Sequence, residues 1–391
     1  MTPAGLFGET PKLAILTTLG GRGLALQGRL TVAVARAETQ DGATLSQVYA
    51  MYVKPRFSIF KGVQWTWRIF PVVAIWSGVV TAAHITLGLE WLRLPALPVT
   101  LLGTAVAFYL GFKGSAAYDR VWEARKIWGG IVNTSRSWGT YVTTLVSDLH
   151  VKEPTQPPVS IVHRELLYRH MAWLTALRIQ LLAPRSWEHR QEWNNRYRAH
   201  FGTLDTSDER MRTELAPFIE PSELEELMTK KNRATQLLQR QGERLQELFA
   251  ELRIEDFRHM ELIGLLQEFY GLQGKCERIK NFPLPRQYAT ANHWFVGLFI
   301  VLLPFALLSA FHGADISEAW TWVTIPVAVL VGWVFYTWDM VLEYSEMPFE
   351  GLINDIPMEA LARGIEVDLR EMLGETELPP AIAAIDGEVL M

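Results

Sequence analysis

Four stretches of the chain are long and apolar enough to cross a membrane as helices. They are Ile69 to Leu89, Leu94 to Phe112, Tyr288 to Phe311 and Trp320 to Trp338. A helix needs about 20 mostly apolar residues to span a bilayer. The stretches form two pairs with short connections, and this pattern predicts a membrane protein with four transmembrane helices.

The block between the two pairs has a different pattern. In residues 113–287, for example from Val162 to Ala183, apolar positions recur at helical spacing with charged positions opposite them. This pattern is typical of amphipathic helices with one buried face, and no segment favours a strand. We therefore expect an all-α protein with membrane helix pairs in 51–112 and 288–338, a cytoplasmic helical domain in 113–287 and a cytoplasmic C-terminal segment in 339–391.

Positive charge lies on one side of the predicted spans. The first short connection carries only Arg93, and the second, His312 to Ala319, has neither Lys nor Arg. The opposite ends carry Arg56, Lys61, Arg68, Lys113, Arg120, Arg125, Lys126, Arg278, Lys280 and Arg286. Because short basic loops remain cytoplasmic, we expect both termini and the helical domain in the cytoplasm.

Composition agrees with a protein that is part membrane and part water. Hydrophobic residues make up 49% of the chain and charged residues 20%, and the net charge of -5 gives no basic excess for a nucleic-acid partner. The single cysteine, Cys276, has no partner for a disulfide within the chain. Residues 1–50 have no periodic apolar face and no clear signal peptide, and we expect a poorly ordered extension.

No motif in the sequence predicts an enzyme, a metal or a cofactor. H-E-x-x-H, G-x-S-x-G and the Walker A pattern are missing from the chain. His163, Glu165 and His170 share one helix, but their spacing favours solvated or capping histidines over a metal site. The predicted spans contain only His84 and His293 as ionisable residues, which argues against an ion-coupled transporter.

The second span contains a regular stripe. Thr104, Phe108 and Phe112 are four residues apart, so they lie along one side of a helix. The stripe packs against a neighbouring helix or, if several copies surround an axis, forms stacked rings that act as a hydrophobic constriction. Charged residues follow directly, and pairs such as Arg120 with Glu123 can link this helix to the cytoplasmic domain.

Three motifs resemble those of one family. LLGTAVAFYLGFKGSAAYDRVWEARKIWGGIVNTSR resembles the signature of bacterial bestrophins, and GKCERIKNFPLP and MPFEGLINDIP resemble two further motifs of that family in the same order. MYVKPRF resembles a bestrophin N-terminus, so Met51 is an alternative start. The chain departs from the usual pattern at Thr104, Lys113 and Val121.

The resemblance implies a pentameric ion channel of the inner membrane with one axial pore. In bestrophins three positions spaced by four on the second helix line the neck of the pore, and the GF pair maps them onto Thr104, Phe108 and Phe112. A second, cytoplasmic constriction maps near Phe257, with Ile254 as the alternative. The expected partners are further copies of the chain, the lipid bilayer and permeant ions.

The function implied is passive conduction of small monovalent ions, most of all chloride and other anions. Phenyl rings favour anions at their edges and cations at their faces, so a cation-selective channel of the same fold remains an alternative. Two further alternatives are a secondary transporter and a non-conducting membrane scaffold.

The resemblance also bears on calcium. Animal bestrophins bind calcium beside the PF motif with polar side chains and an acidic run. The matching positions here are Tyr344, Met347 and Leu352, which leaves only Asp355. Because calcium prefers about 6–8 oxygen ligands, we expect no calcium gating.

Overall fold

A computed structural model describes residues 58–151, 157–188, 199, 205–312, 318–384 and 389–390. The predicted N-terminal extension, residues 1–50, lies outside this part of the chain. Eleven α-helices and no β-strand occur among the described residues. The helices are α1 (Ile59–Thr66), α2 (Ile69–Leu87), α3 (Ala96–Leu145), α4 (Val159–Leu182), α5 (Asp208–Leu215), α6 (Pro221–Met228), α7 (Arg233–Ala250), α8 (Asp256–Asn281), α9 (Arg286–His312), α10 (Thr324–Tyr344) and α11 (Met358–Met372).

Four helices are long and apolar enough to cross a membrane, as the apolar stretches predict. They are α2, α3, α9 and α10, and short 3₁₀ turns at Glu90–Leu92 and Glu318–Val323 precede α3 and α10. One buried apolar cluster joins all four helices. Its members are Val73, Val99, Val106, Leu110, Val296, Phe299, Ile300, Leu303, Ala306, Ala328 and Leu342. This cluster fixes the orientation of α3 relative to the other three.

Helix α3 does not end where the apolar stretch ends. It runs for 50 residues without a break from Ala96 to Leu145, which corresponds to about 75 Å at 1.5 Å per residue. The hydrocarbon core of a bilayer is only about 30 Å thick. The charged sequence after Phe112 is therefore the continuation of the membrane helix into the helical domain.

Gly103 brings α3 close to α9. A Cβ atom at this position would lie 2.6 Å from Cε2 of Phe299, and the Phe299 ring is itself buried in the cluster. The absence of a side chain at Gly103 therefore permits this helix contact.

Gly103→Ala is expected to destabilise the protein because the ring of Phe299 cannot move without disturbing its neighbours, and such overpacking costs about 1–3 kcal/mol. The matched control is Gly111→Ala on the same helix, where no atom lies within 4 Å of the added Cβ. Thermal unfolding in detergent measures the difference. Equal melting temperatures for the two variants would contradict the proposed close contact.

The C-terminal half of α3 packs into a core of aromatic rings. Trp138, Trp173 and Phe269 are fully buried, and their rings surround His170 at centroid distances of 4.6–6.2 Å. His170 Nε2 lies 2.9 Å from Ser135 Oγ, and burial lowers the pKa of this histidine to about 3.

The expectation of solvated or capping histidines is wrong for His170. The imidazole lies in the core because α4 is buried on most of its circumference there. His163, on the same helix, lies with Nε2 2.8 Å from the carbonyl oxygen of Val146. The two histidines thus serve separate packing contacts and do not form a shared site.

Candidate functional site

Helix α3 has two contrasting faces in its membrane half. One face packs against α9 and α10 through Val99, Val106 and Leu110, each at most 5% exposed. The other face carries Thr104, Phe108 and Phe112, which are all exposed. We call these three positions the neck stripe. The stripe does not pack inside the subunit, so the simple packing interpretation does not hold within one copy of the chain.

The neck stripe presents two large apolar rings and one hydroxyl group. Phe108 and Phe112 are each 66% exposed, although apolar rings of this size normally seek burial. Thr104 Oγ1 donates to the carbonyl oxygen of Thr100 at 2.9 Å, so its lone pairs remain directed outward. The stripe is uncharged and mostly apolar, as a hydrophobic constriction requires.

The two candidates for the second constriction lie in very different surroundings. Phe257, at the start of α8, is 87% exposed, whereas Ile254 is 2% exposed. The side chain of Ile254 is occupied by packing within its own subunit. Burial therefore favours Phe257 over Ile254 as the residue that faces an axis.

The turn before Phe257 is attached to the end of α3 through Arg253. The Arg253 side chain is fully buried and its Nη2 donates to the carbonyl oxygen of Pro157 at 2.6 Å. Its backbone oxygen accepts from the Ser147 N–H at 2.9 Å, and its Nε lies 3.4 Å from Asp148 Oδ1. The turn that precedes Phe257 is therefore connected through α3 to the segment that carries the neck stripe.

A buried ion pair joins α3 to α10 directly below the neck stripe. Lys113 Nζ lies 2.9 Å from Asp339 Oδ1, with the two side chains 1% and 0% exposed. Asn292 Nδ2 also donates to Asp339 Oδ1 at 2.9 Å, and His293 Nδ1 lies 2.9 Å from Asp339 Oδ2. Lys113 directly follows Phe112 in the chain, so this polar cluster anchors the segment that carries the neck stripe to two neighbouring helices.

The apolar pattern of the sequence does not reveal this cluster. Lys113 and Asp339 each lie one residue beyond the end of a predicted span, and α10 in fact continues to Tyr344. One apolar stretch is followed by a positive residue and another by a negative residue. This is a signal that could have suggested the pair.

Comparison with known proteins identifies the family. The family model described as "Bacterial/Fungal Bestrophin protein" matches residues 49–371. The chain belongs to the bestrophin family.

Named relatives and solved structures agree with this assignment. The bestrophin is 30% identical over 285 residues to the voltage-dependent anion channel-forming protein YneE of Escherichia coli K12, covering 73% of this chain and 79% of the relative. It is 29% identical to the voltage-dependent anion channel-forming protein mll4386 of Mesorhizobium japonicum, covering 85% and 94% of the two chains. A bacterial bestrophin homologue from Klebsiella pneumoniae has the same fold, with a TM-score of 0.63 at 23% identity over 82% of this chain and all of that chain.

The three sequence motifs of this bestrophin meet at Arg120. Its Nη1 and Nη2 donate to the carbonyl oxygens of Phe282 and Ile279 at the end of α8, both at 2.8 Å. Its Nε donates to the carbonyl oxygen of Glu346 at 2.8 Å. One guanidinium thus caps two chain segments that carry the second and third motifs, and it links them to α3.

The charges of Arg120 and Glu123 attract each other as predicted, but the guanidinium of Arg120 is hydrogen-bonded to the three carbonyl oxygens. Glu123 instead forms an ion pair with Arg278 on α8, because the neighbouring helix offers a closer partner than the preceding turn of α3. The broader expectation holds, since both residues connect α3 to the helical domain.

The segment at the PF motif of this bestrophin carries its own internal cation. Lys280 Nζ donates to the carbonyl oxygen of Phe349 at 3.1 Å and forms an ion pair with Glu188. Burial, and then the neighbouring Glu350, raises the pKa of Asp355 to about 8. The carboxyl group of Asp355 therefore holds its proton more firmly than a free aspartate does, which weakens it as a ligand for a hard cation such as calcium.

Calcium is not expected to change ion flux through this bestrophin, because Lys280 already supplies positive charge at the PF segment. The measurement is ion flux from proteoliposomes over a range of free calcium concentrations, with magnesium as the control for surface screening. Activation by micromolar calcium that magnesium does not reproduce would contradict the expectation.

Proposed function

We propose that the protein is an ion channel that assembles as a homopentamer and passively conducts small monovalent ions, most of all chloride and other anions. The observation that carries this proposal is the neck stripe, with Phe108 and Phe112 unpacked on the outward face of α3. Two relatives that are named as voltage-dependent anion channel-forming proteins support the ionic class.

We infer a ring of subunits because the four membrane helices leave no wet path between them in the part of the chain that the structure describes. The four membrane helices pack against one another through a continuous apolar cluster. When several α3 helices surround an axis, Thr104, Phe108 and Phe112 become three stacked rings. Phe257 then forms a second ring on the cytoplasmic side, at the far end of the same axis.

We place the channel in the inner membrane with both termini and the helical domain in the cytoplasm. The basic residues at one end of the membrane helices favour this orientation. At the other end of the membrane helices, in the connection between α2 and α3, Arg93 forms an ion pair with Glu90. The one basic residue of that connection is therefore neutralised, which strengthens the difference in charge between the two ends.

The choice between anions and cations depends on the orientation of the phenyl rings of Phe108 and Phe112. Rings that meet the axis edge-on favour anions, and rings that meet it face-on favour cations. The relatives support the anion reading, and the cation-selective channel is the alternative outcome of the test. A coupled transporter is the other alternative, because the buried Lys113–Asp339 pair is a kind of group that such carriers use.

Flux from reconstituted liposomes with ion substitution tests the proposal. Replacing chloride by a large organic anion is expected to abolish the current, and replacing the cation is expected to leave it unchanged. Discrete single-channel steps support a channel over a transporter. A current carried by the cation, or a slow saturating flux without steps, would reject the anion-channel assignment.

The mass of the intact oligomer tests the assembly. Native mass measurement is expected to give five times the 44.5 kDa mass of the subunit, because only a ring encloses a path lined by the neck stripe. A monomer or dimer as the largest species would contradict the pentamer.

A further inference from the structure

Three side chains with metal-ligating atoms meet at the cytoplasmic end of the membrane helices. His293 lies on α9, and Asp339 and Glu343 lie one helical turn apart on α10. One nitrogen or oxygen atom from each lies within 4.8 Å of the other two. Carboxylates at positions i and i+4 lie on the same face of a helix, and the imidazole approaches that face from the neighbouring helix.

Asp339 is held in one orientation by partners outside the group. Its Oδ1 accepts from Lys113 Nζ and Asn292 Nδ2, both at 2.9 Å. Its Oδ2 therefore points toward His293 Nδ1, also at 2.9 Å. Partners of this kind orient the ligating carboxylates of metal sites and are needed for their affinity.

One ligand of the group is open on the surface of the single subunit, whereas Asp339 is buried and Glu343 is partly buried. The side chain of His293 is 55% exposed. Trp294 and Trp338, which adjoin His293 and Asp339 in sequence, are 68% and 54% exposed, and exposed tryptophans typically mark the level of the lipid headgroups. An ion in the cytoplasmic water can therefore reach these ligands without crossing the hydrocarbon core.

We propose that His293, Asp339 and Glu343 bind one divalent transition-metal ion of the zinc class per subunit. One imidazole with two carboxylates favours zinc or cobalt, whereas calcium and magnesium prefer sites made of oxygen alone. Three protein ligands leave a fourth position for water in tetrahedral geometry. The ligand atoms lie within 4.8 Å of one another, and side-chain rotations would bring them to the bonding distance of about 2.0–2.2 Å from a shared ion.

Occupancy of this site is transmitted to the neck stripe, a consequence that depends on the proposed channel function. Asp339 binds both the ion, through Oδ2, and Lys113, through Oδ1. Lys113 follows Phe112 on α3. A bound ion therefore cross-links α9 to α10 and fixes the anchor of the pore helix, which is expected to lower ion flux.

The test measures binding and flux separately. Purified oligomer is titrated with Co²⁺ and with Zn²⁺, and the cobalt absorption spectrum and the number of ions per subunit are recorded. We expect one ion per subunit, displacement of cobalt by zinc, and no displacement by magnesium. Glu343→Gln and His293→Gln are each expected to weaken binding by more than about tenfold. The Gln side chain at position 293 retains a donor for Asp339.

His150→Gln is the matched control. His150 also lies beside a carboxylate, with Nε2 2.7 Å from Glu255 Oε1, but it belongs to the helical domain. This variant is expected to bind cobalt as the unaltered protein does. A loss of binding in this control, unaltered binding in both site variants, or no stoichiometric binding at all would overturn the site.

Flux with and without zinc tests the coupling. Zinc is expected to lower flux in the unaltered protein and not in Glu343→Gln. Stoichiometric binding at these residues with flux unchanged by zinc overturns the coupling and supports the site. A protein that conducts no ion under any condition refutes the proposed function, while the cobalt spectrum still decides the site.

Discussion

Replacing both Phe108 and Phe112 with alanine is expected to raise ion flux several-fold while the oligomer remains intact. The two rings are exposed within the subunit, so their removal leaves no cavity in the core. In the proposed pore, the change widens the neck and removes an apolar barrier to hydrated ions. Ion flux and the yield of intact oligomer are measured on the same preparation.

The matched control is a double alanine variant at Val106 and Leu110 on the opposite face of α3. Both side chains are buried in the membrane cluster, and large-to-small changes in a core cost about 2–5 kcal/mol for leucine. This control is expected to lose oligomer without gaining flux. If the Phe108 and Phe112 variant instead behaves like the control, the neck stripe is packing between subunits and not a pore.

Thr104 offers a change in the opposite direction. Thr104→Ile keeps the β-branched shape of the side chain but replaces the outward hydroxyl by an apolar group. Flux is expected to fall with little effect on assembly, because an ion or water in the neck loses a polar contact. An unchanged flux would remove Thr104 from the proposed neck.

Replacing Lys113 with methionine is expected to be the most destabilising single change in the membrane region. It leaves the carboxylate of Asp339 fully buried without its compensating charge, and breaking a buried pair in this way costs about 3–5 kcal/mol. Asn292 and His293 still donate to the carboxylate, which limits the loss. The apparent melting temperature of the oligomer and its yield measure the effect.

The double variant Lys113→Met with Asp339→Leu separates charge from packing. Both buried charges are absent from this variant, and a buried pair replaced by apolar side chains is often tolerated. We expect it to be more stable than Lys113→Met alone. A double variant that is less stable than the single one would show that the pair contributes more than mutual neutralisation.

Apolar patterning predicted the membrane helices well because a helix in lipid must be apolar over a fixed length. The same patterning placed the end of the second span at Phe112, since it reports where side chains turn polar and not where the backbone ends its helix. Helix α3 continues to Leu145 because its lower half is buried by α4, α8 and α11. The continuous helix therefore depends on tertiary contacts that a window along the chain does not contain.

The candidate site was predicted unevenly for the same reason. Spacing by four was enough to place Thr104, Phe108 and Phe112 on one face of α3, and a family motif mapped the second constriction only to a region. Choosing between Phe257 and Ile254 required their burial. The Lys113–Asp339 pair was missed because its two members are separated by more than half of the chain and meet only when three helices pack together.

Because α3 is one unbroken helix, the number of residues in it determines how its two ends are oriented relative to each other. Each residue inserted into a helix turns everything beyond it by about 100° and moves it by about 1.5 Å. Inserting or deleting one residue between Lys113 and Leu145 would therefore rotate the neck stripe away from the proposed pore axis while Arg253 held the lower end in place. We therefore expect changes of length to be tolerated in the loops and not in α3, because the number of residues in α3 sets the direction in which the neck stripe faces.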